Sequence, residues 1–354
     1  AQLDLLRYPE QHNSPLQAFD AADEYLLKHL GSCGLQSTAR CLILNDNFGA
    51  LAASLTAHMQ VHSSGDSFLA HQALRNNLDN NQLASSELKI IVLIRVPKTL
   101  ALLEEQLIRL QSHIQPDTTI VAAGMVKHLP RSAGDLLERY IGPVQASLAE
   151  KKARLLLVTP TDKAQASSPY PSSYSLEKPA LILRNHAGIF CREALDIGTR
   201  FFLPHLPHNL GDAQVADLGC GNGVLGIVCA LSNPQAQLRM VDESYMAVQS
   251  AQENWQMALG ERPVSIYAGD GLACETAESL DLVLCNPPFH QQQVIGDFLA
   301  RRMFQQSHRT LKAGGQLWIV GNRHLGYHVT LKRMFREVEQ VAANAKFVIF
   351  KATK

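Results

Sequence analysis

Apolar residues along the chain follow two alternating patterns. Short continuous apolar runs, such as residues 90–94 and 155–158, are typical of strands buried on both faces of a parallel sheet. Between them lie longer stretches in which apolar positions recur every three or four residues, as on one face of a helix. In the second half of the chain the patterns predict strands at 213–219, 237–243, 265–268, 280–289, 314–322 and 346–352, and helices at 222–231, 245–259 and 298–311. This alternation predicts an α/β fold with a doubly wound sheet.

The first half of the chain repeats the order of elements in the second half. RCLILNDNFGALA (40–52) aligns with QVADLGCGNGVLG (214–226), and GDSFLAHQALRNN (65–77) aligns with VDESYMAVQSAQEN (241–254). Further matching segments follow in the same order in both halves. Matches in one consistent order predict an internal duplication, and hence two tandem Rossmann-like sheets.

A serine- and proline-rich stretch separates the two halves. Residues 160–179 show no helix or strand period, which is typical of an exposed connection. We therefore predict a first domain at 1–160, a linker at 161–178 and a second domain at 179–354. A chain of 354 residues is long enough for each domain to bury its own core.

The composition, 46% hydrophobic and 18% charged, is that of a soluble globular protein without an apolar run of membrane-spanning length. The seven cysteines are scattered and form no C-x-x-C pair, so we expect a reducing, cytoplasmic setting and no membrane partner. The net charge is zero, and neither half has a basic excess of more than one charge. A nucleic-acid contact would therefore use local clusters such as Arg301-Arg302, although such a cluster is more often a solvated helix face.

A glycine-rich turn closes the first predicted strand of the second half. In DLGCGNG (217–223) the glycines allow a sharp turn and let the backbone approach a ligand closely. Asp242 ends the next strand, where a carboxylate can bind ribose hydroxyls or cap a helix. Asp270, after the third strand, can bind an adenine amine or form a turn. This region leaves S-adenosylmethionine and a dinucleotide open as cofactors. Its candidate cofactor-binding residues are Asp217, Gly219, Gly221, Asn222, Asp242 and Asp270.

The turn Asn286-Pro287-Pro288-Phe289 favours S-adenosylmethionine and the methylation of an amino group. An exocyclic base amine is a poor nucleophile because its lone pair is delocalised into the ring. The Asn286 side chain and the Pro287 carbonyl, held in a rigid turn, can accept the amine hydrogens and direct the nitrogen toward a sulfonium methyl group. Phe289 offers a stacking face for a planar base. Consecutive prolines can also simply end a strand, but the glycine turn upstream makes the catalytic interpretation the better one.

The segment before the first strand of the second half carries further candidates. Phe190 and Arg192, together with Asp196, are placed to close over the methionine end of the cofactor. His324 and His328 have the i, i+4 spacing of a metal pair on a helix, but a glycine lies between them and no third ligand is near. We therefore predict no metal site.

The motifs LDIG, DLGCGNGVLG, VDES, CNPPFHQQ and NRH together resemble those of the ribosomal RNA guanine N2-methyltransferases. The resemblance covers essentially the whole chain and is greatest to members that act on 23S rRNA. It implies class I methyltransferase folds, S-adenosylmethionine as cofactor and the N2 amine of a guanine in 23S rRNA as acceptor. It also implies that Asp242 holds the ribose and Asp270 the adenine. Asn286 and the Pro287 carbonyl would then hold the amine, and Phe289 would stack on the base.

Three other functions stay open. A small-subunit (16S) rRNA guanine N2-methyltransferase shares this architecture. A protein-glutamine N-methyltransferase uses a similar turn, although it usually has tyrosine at the position of Phe289. A non-catalytic RNA-binding or assembly factor would not need the complete set of cofactor positions. Cys191 stands where members of the family often carry serine. We expect a monomer. We also expect free large-subunit rRNA as the substrate, because the target base must be flipped out of its surroundings.

The first copy departs from the catalytic pattern. Its glycine turn reads NDNFG (45–49), with the bulky Phe48 where a cofactor would lie, and RVPK (95–98) replaces the Asn-Pro-Pro-Phe turn. We infer that this domain has lost cofactor binding and positions the RNA. The residues predicted to contact phosphates are Arg95, Lys98, Lys127 and Lys151.

Overall fold

Two sheets of mainly parallel strands form the centres of the two halves of the chain. The computed structural model describes residues 3–9, 16–33, 39–81, 90–288 and 293–354. The chain divides into two units, Ala1–Tyr170 and Pro171–Lys354. Within the described residues, every helix falls short of the length and hydropathy needed to cross a membrane.

In the described part of the first unit, one sheet carries helices on both faces. Its strands are β1 (Arg40–Leu44), β2 (Gln60–Ser64), β3 (Ile90–Arg95), β4 (Thr119–Met125), β5 (Val144–Ala146) and β6 (Ala153–Val158). Its helices are α1 (Ala21–Ser32), α2 (Ala50–Thr56), α3 (Phe68–Asn80), α4 (Leu100–Leu110) and α5 (Arg131–Tyr140). The strand order is β2-β1-β3-β4-β6-β5, with β1 to β4 parallel and β6 antiparallel to both of its neighbours.

The second unit repeats this architecture and adds a hairpin in front of it. Its strands are β7 (Ser172–Glu177), β8 (Ala180–Asn185), β9 (Gln214–Leu218), β10 (Gln237–Asp242), β11 (Val264–Ala268), β12 (Leu280–Cys285), β13 (Leu311–Asn322), β14 (Glu337–Ala343) and β15 (Phe347–Thr353). Its helices are α6 (Ile197–Phe202), α7 (Val224–Ser232), α8 (Tyr245–Leu259), α9 (Gln293–Thr310) and α10 (Tyr327–Lys332). The main sheet has the order β11-β10-β9-β12-β13-β15-β14, with β15 antiparallel, while β7 and β8 pair only with each other.

Both faces of the central strands are buried, which explains their continuous apolar sequence. In β12, Leu282 and Leu284 pack into one apolar cluster with residues of α7 and α8. Val283 and Cys285 face the opposite side and pack with residues of α9 and α10. Truncating a side chain such as Leu284, which is fully buried, to alanine would cost about 2–5 kcal/mol of stability.

The strand order places the ends of β9 and β12 side by side. Leu218 and Cys285, the last residues of these parallel strands, are paired with each other in the sheet. The chain leaves β9 toward β10 on one side, and β12 lies on the other side, so a crevice opens at this switch point. The glycine-rich turn and the Asn-Pro-Pro turn therefore begin at the same place.

Two asparagines confirm the internal duplication at the level of single hydrogen bonds. The Asn254 side chain accepts the backbone N–H of Arg184 and donates to the carbonyl of that residue and to the carbonyl preceding the last glycine of the turn. Asn77 makes the same bonds to Leu6 and to the carbonyl preceding the last glycine of its own turn. The donor–acceptor distances are 2.7–3.0 Å in both units. Both side chains are buried, so each turn is fastened to the segment that precedes its sheet.

Part of the segment predicted as a linker is a strand. Residues 172–177 form β7, in which every second side chain is partly buried. Tyr174 and Leu176 alternate with the exposed Ser173, Ser175 and Glu177, so a period of two is present within the serine-rich segment. The residues before β7 are also held, because Gln165 donates to the Ile108 carbonyl and the Tyr170 hydroxyl donates to Glu104. The predicted boundaries 161–178 are therefore wrong at the C-terminal end.

The remaining differences concern short or exposed elements. The sequence did not predict α10, which is too short to show a helical period, or β14, an edge strand rich in polar residues, whereas a helix that buries Phe202 was expected where α6 lies. The position in the first unit that would correspond to β11 falls at 82–89, outside the described residues.

Candidate active site

The glycine-rich turn after β9 has the backbone conformation that only glycine adopts without strain. Gly219, Gly221 and Gly223 have φ values of 75°, 54° and 85°. A Cβ on Gly223 would come within 3.1 Å of the Ala251 Cβ, so glycine is also needed there for the close packing of α7 on α8. A Cβ on Gly221 would meet open space. The turn thus exposes its backbone on one side, as a ligand-binding turn must.

Asp217, the fourth residue of β9, has a buried carboxylate with spare hydrogen-bonding capacity. Its Oδ2 accepts the backbone N–H of Gly226 at 2.8 Å. Its Oδ1 has no partner among the described residues, although the side chain is fully buried. This desolvation raises the pKa of Asp217 to about 7. An unpaired buried acceptor is costly, and a donor on a bound cofactor would satisfy it.

Asp242, at the end of β10, links the second strand to the glycine turn. Its Oδ2 accepts the N–H of Gly221 at 2.8 Å, and its Oδ1 accepts the N–H of Ser244 at 3.0 Å. Ser244, and not Asp242, is the N-cap of α8. Desolvation raises the pKa of Asp242 above its ordinary value. The N–H of Glu243 binds the same carboxylate, which has about four lone pairs and can accept one further donor such as a ribose hydroxyl.

Asp270, in the turn after β11, is held by the helix that follows the Asn-Pro-Pro turn. Both of its carboxylate oxygens accept hydrogen bonds from Arg302 on α9. Gln306, one helical turn further, donates to the Asp270 carbonyl and accepts the N–H of Leu272, each at 3.0 Å. Arg302 was predicted only as part of a solvated basic cluster, and its side chain is instead three-quarters buried. An adenine amine that bound Asp270 would share this carboxylate with Arg302.

Asn286, directly after β12, presents a free acceptor at the switch point. Its Nδ2 donates to the Thr199 Oγ1 at 2.9 Å and to the Asp196 Oδ2 at 3.2 Å. Its Oδ1 is buried and has no partner among the described residues. Pro287 is buried and Pro288 is exposed, while Phe289 lies outside the described residues. The amide oxygen is thus available to a donor, and its binding of the target amine stays a prediction.

Asn222 does not have the predicted role of a cofactor ligand through its side chain. Its Nδ2 donates to the Tyr174 hydroxyl and to the Asn185 Oδ1, both at 2.9 Å. Its Oδ1 accepts the N–H of Val224 at 3.3 Å. An asparagine amide has two N–H donors, so no donor remains for a ligand. The side chain instead fastens the turn to the β7–β8 hairpin.

The segment before α6 reaches the Asn-Pro-Pro turn through Asp196. The Cys191 Sγ lies 4.0 Å from the Asp196 Oδ1, and Asp196 is the N-cap of α6. Phe190 is 59% exposed, and the Arg192 Nε donates to Glu193 at 2.8 Å. Contact of Phe190 and Arg192 with a cofactor stays a prediction. Within the described ranges, no group of three His, Cys, Asp or Glu side chains is arranged to hold a metal ion.

Comparisons with known proteins match both units. Residues 1–162 match the family described as RLMG N-terminal domain, and residues 180–351 match the family described as Methyltransferase small domain. Curated proteins from Pseudomonas fluorescens and Pseudomonas aeruginosa, each called Ribosomal RNA large subunit methyltransferase G, are 66% identical to the chain. In each case the match covers 100% of this chain and 98% of the relative. The chain belongs to the ribosomal RNA large subunit methyltransferase G family.

A solved structure supports the fold of this family over the whole chain. A T. thermophilus 16S rRNA N2 methyltransferase in complex with AdoMet and guanosine matches with a TM-score of 0.78 and 20% sequence identity. The match covers 99% of this chain and 95% of that one. The predicted α/β class and the class I methyltransferase fold are therefore confirmed.

In the first unit of this methyltransferase G family member, an ion pair occupies the position that corresponds to Asn286. Arg95 follows Ile94, which pairs with the last residue of β1, just as Asn286 follows Cys285. The Arg95 guanidinium binds both oxygens of Asp20 at 2.9 and 2.8 Å, and Asp23 at 3.1 Å. Arg95 is only 8% exposed, so the prediction that it contacts RNA phosphates is wrong.

The first unit also has different residues at the positions that correspond to Asp217 and Asp242. The Asn45 N–H donates to the Ser64 carbonyl as the Gly219 N–H donates to the Val241 carbonyl. This register places Gly65 at the position of Asp242. Ile43, on β1, occupies the position of Asp217 and is fully buried. The first unit therefore has neither carboxylate of the second unit's turn.

The other three cations predicted to contact RNA differ in their surroundings. Lys151 forms an ion pair with Glu24 at 2.7 Å, so its charge is already engaged. Lys98 and Lys127 are exposed, and neither is ion-paired within the described residues. Lys98 follows β3 and Lys127 follows β4, which are adjacent parallel strands. Both therefore lie at the carboxyl edge of the first sheet.

Proposed function

We propose that the protein transfers the methyl group of S-adenosylmethionine to the exocyclic N2 amine of a guanine in 23S rRNA. The observation that carries this proposal is the unpartnered, buried Oδ1 of Asn286 beside the glycine-rich turn. The names of the relatives support an rRNA of the large subunit as substrate. The guanosine in the T. thermophilus structure supports guanine as the base.

The described residues have distinct roles in this reaction. The Asn286 Oδ1 and the Pro287 carbonyl accept the two amine hydrogens, which orients the nitrogen lone pair and withdraws it from the ring. The turn closed by Gly219, Gly221 and Gly223 and the carboxylate of Asp242 fit the nucleoside and methionine parts of the cofactor. When bound, S-adenosylmethionine supplies an electrophilic methyl group on its sulfonium. Because the amine proton can leave after methyl transfer, the site requires no strong general base.

The alternatives have less support. A 16S rRNA substrate is supported only by a structure that is 20% identical, whereas the relatives with large-subunit names are 66% identical. A protein-glutamine substrate would leave the first unit without a role. A non-catalytic factor would have no need for the unpaired acceptors on Asp217 and Asn286, which cost stability without a ligand.

We also propose that the first unit positions the RNA through the carboxyl edge of its sheet. Lys98 and Lys127, which the sequence predicts to contact phosphates, belong to this surface. Lys152 joins them, because its carbonyl accepts the N–H of Val126, the neighbour of Lys127. Arg131 begins α5 nearby and is also exposed. Lysine and arginine side chains at one edge fit the evenly spaced phosphates of an RNA strand.

The decisive experiment uses an acceptor that lacks the amine. Protein-free 23S rRNA is methylated with labelled cofactor, and mass spectrometry identifies the modified nucleotide. An RNA fragment with inosine at that position keeps the O6 and N1–H groups of guanine but has no N2 amine, so we expect no transfer. Label in the inosine fragment, or equal label in 16S rRNA, would contradict the proposal. Assembled large subunits tested alongside show whether free rRNA is the preferred substrate.

A further inference from the structure

Three residues form a small polar cluster behind the acceptor oxygen of the second unit. Thr199 is buried at the third position of α6, and Asp196 is the N-cap of that helix. The Asp196 Oδ2 accepts the Thr199 N–H at 2.8 Å and lies 3.3 Å from the Thr199 Oγ1. Both residues accept hydrogen bonds from the Asn286 Nδ2. The amide nitrogen of Asn286 is therefore held on the side of Asp196 and Thr199.

This arrangement permits one orientation of the Asn286 amide. A rotation of the amide by 180° would place its oxygen against the Asp196 carboxylate and would leave both N–H donors unpaired. The amide oxygen is thus held toward the place where a donor amine must bind. A negative charge behind the amide also polarises it, which makes the oxygen a stronger acceptor for an amine that gains positive charge during methyl transfer.

The first unit provides independent evidence, because the same three positions hold different residues there. Asp20 is the N-cap of α1, Asp23 is the third residue of that helix, and Arg95 occupies the position of Asn286. The N-cap aspartate is common to both units and serves the helix in each. The hydroxyl and the amide occur only in the unit that retains the cofactor turn, where they contact each other. The change from Thr199 to its counterpart Asp23 therefore accompanies the change from amide to guanidinium.

We propose that Thr199 and Asp196 are positioning residues of methyl transfer, which act by fixing the amide of Asn286 with its oxygen toward the target amine. This inference rests on the proposed function, in which Asn286 binds the amine. Neither residue touches the substrate itself. Thr199 gives the cleaner test, because Asp196 also caps α6.

The test compares Thr199→Val, which removes the hydroxyl at nearly constant volume, with Thr199→Ser, which keeps it. We expect Thr199→Val to lower kcat for RNA methylation by about tenfold to a hundredfold, as for a misplaced reacting group. The Kd for S-adenosylhomocysteine should stay within about twofold of wild type, and Thr199→Ser should restore most of kcat. Asp196→Asn retains a capping oxygen but removes the charge, and it should also lower kcat more than cofactor affinity.

The outcomes separate a positioning role from a purely structural one. If Thr199→Val has the kcat of wild type, or loses cofactor affinity as much as kcat, the inference is wrong. If Thr199→Val does not fold, Asp196→Asn and Thr199→Ser decide, because wild-type kcat in Asp196→Asn would equally refute it. A failure of the proposed function would differ, since the wild-type protein itself would then leave the guanine amine unmodified.

Discussion

Both carboxylate oxygens of Asp270 are bound by the guanidinium of Arg302, which lies on the helix that follows the Asn-Pro-Pro turn. The carboxylate is therefore fixed before any adenine binds. Gln306, one helical turn after Arg302, forms hydrogen bonds with the backbone of the same turn. The turn at Asp270 is thus held by α9, the helix that follows the Asn-Pro-Pro turn in the chain.

Arg302→Gln should weaken cofactor binding and reduce its base specificity. Without the guanidinium, the buried Asp270 carboxylate loses its charged partner and its fixed orientation. We expect the Kd for S-adenosylhomocysteine to rise by about tenfold, and the preference over S-inosylhomocysteine to shrink, both measured by calorimetry. Arg301→Gln, at the exposed neighbouring position, is the matched control and should bind like wild type. Tighter binding by Arg302→Gln would show that the arginine competes with adenine.

Asp217→Asn should stabilise the protein without cofactor in a pH-dependent way. The pKa of Asp217 is raised to about 7 by burial, so between about pH 4 and 7 the folded state holds a proton that the unfolded chain has lost. The stability of the wild type therefore falls through this window as the pH rises, and the variant avoids this loss. The difference in Tm should grow up to about pH 7, by about 2–4 °C for each kcal/mol, while cofactor affinity falls.

Asp281 serves as the control, because its replacement by asparagine should change the Tm in the opposite direction. Lys312 and the N–H of Gln214 both bind the Asp281 carboxylate. Although desolvation acts in the other direction, these bonds hold the pKa of Asp281 below its ordinary value. Asp281→Asn should lower the Tm, and this loss should disappear as the pH falls below about 4. A pH-independent Tm difference for Asp217→Asn would refute a buried charge at that position.

Arg95→Met should destabilise the first unit without changing its contact with RNA. The substitution leaves Asp20 and Asp23 as adjacent, unpaired carboxylates, and Asp23 is almost fully buried. We expect a loss of about 2–4 kcal/mol at pH 7, less than for a fully buried pair because Asp20 is partly exposed. The loss should shrink toward about pH 4 as the carboxylates are protonated. Denaturant unfolding measures the stability, and an altered salt dependence of RNA binding would contradict the structural role.

Lys98→Gln and Lys127→Gln should each weaken RNA binding and reduce its dependence on salt. Each exposed cation that contacts a phosphate contributes about 0.7–0.9 to the slope of log K against log salt concentration. Filter binding at several salt concentrations measures this slope, and cofactor affinity should be unchanged. Lys163→Gln, after β6 and hence at the opposite edge of the same sheet, is the control. If all three variants have the same slope as wild type, Lys98 and Lys127 do not contact the RNA.

The family, the fold class and the pairing of most corresponding positions were predictable from the sequence, although the register places Gly65 and not Asp66 at the position of Asp242. Strong apolar runs and two adjacent turn motifs carry this information locally. In the sheet registers, Arg95 of the first unit occupies the position equivalent to that of Asn286 in the second unit, as the alignment of the two halves predicted. The α8 bounds are also as predicted, because that helix has a long amphipathic period and a capping serine.

The use of individual polar side chains was not predictable, because their partners are distant in sequence. The acidic partners of Arg95 lie more than 70 residues before it, and the arrangement Asp20-x-x-Asp23 at a helix start was the one available signal. Asn222 was assigned to the cofactor as part of the glycine-rich turn, and its partners Tyr174 and Asn185 lie more than 30 residues before it.

The ion pair of the first unit also restricts how that unit can evolve. Replacing Arg95 by asparagine alone would leave two carboxylates side by side without a cation, and replacing Asp23 by threonine alone would remove half of the guanidinium's charge partners. Either first step destabilises the fold before any acceptor site exists, and Ile43 and Gly65 would still lack the carboxylates that the cofactor turn uses. Each single change toward the residues of the second unit therefore costs stability, so we expect the ion pair to preserve the difference between the two units.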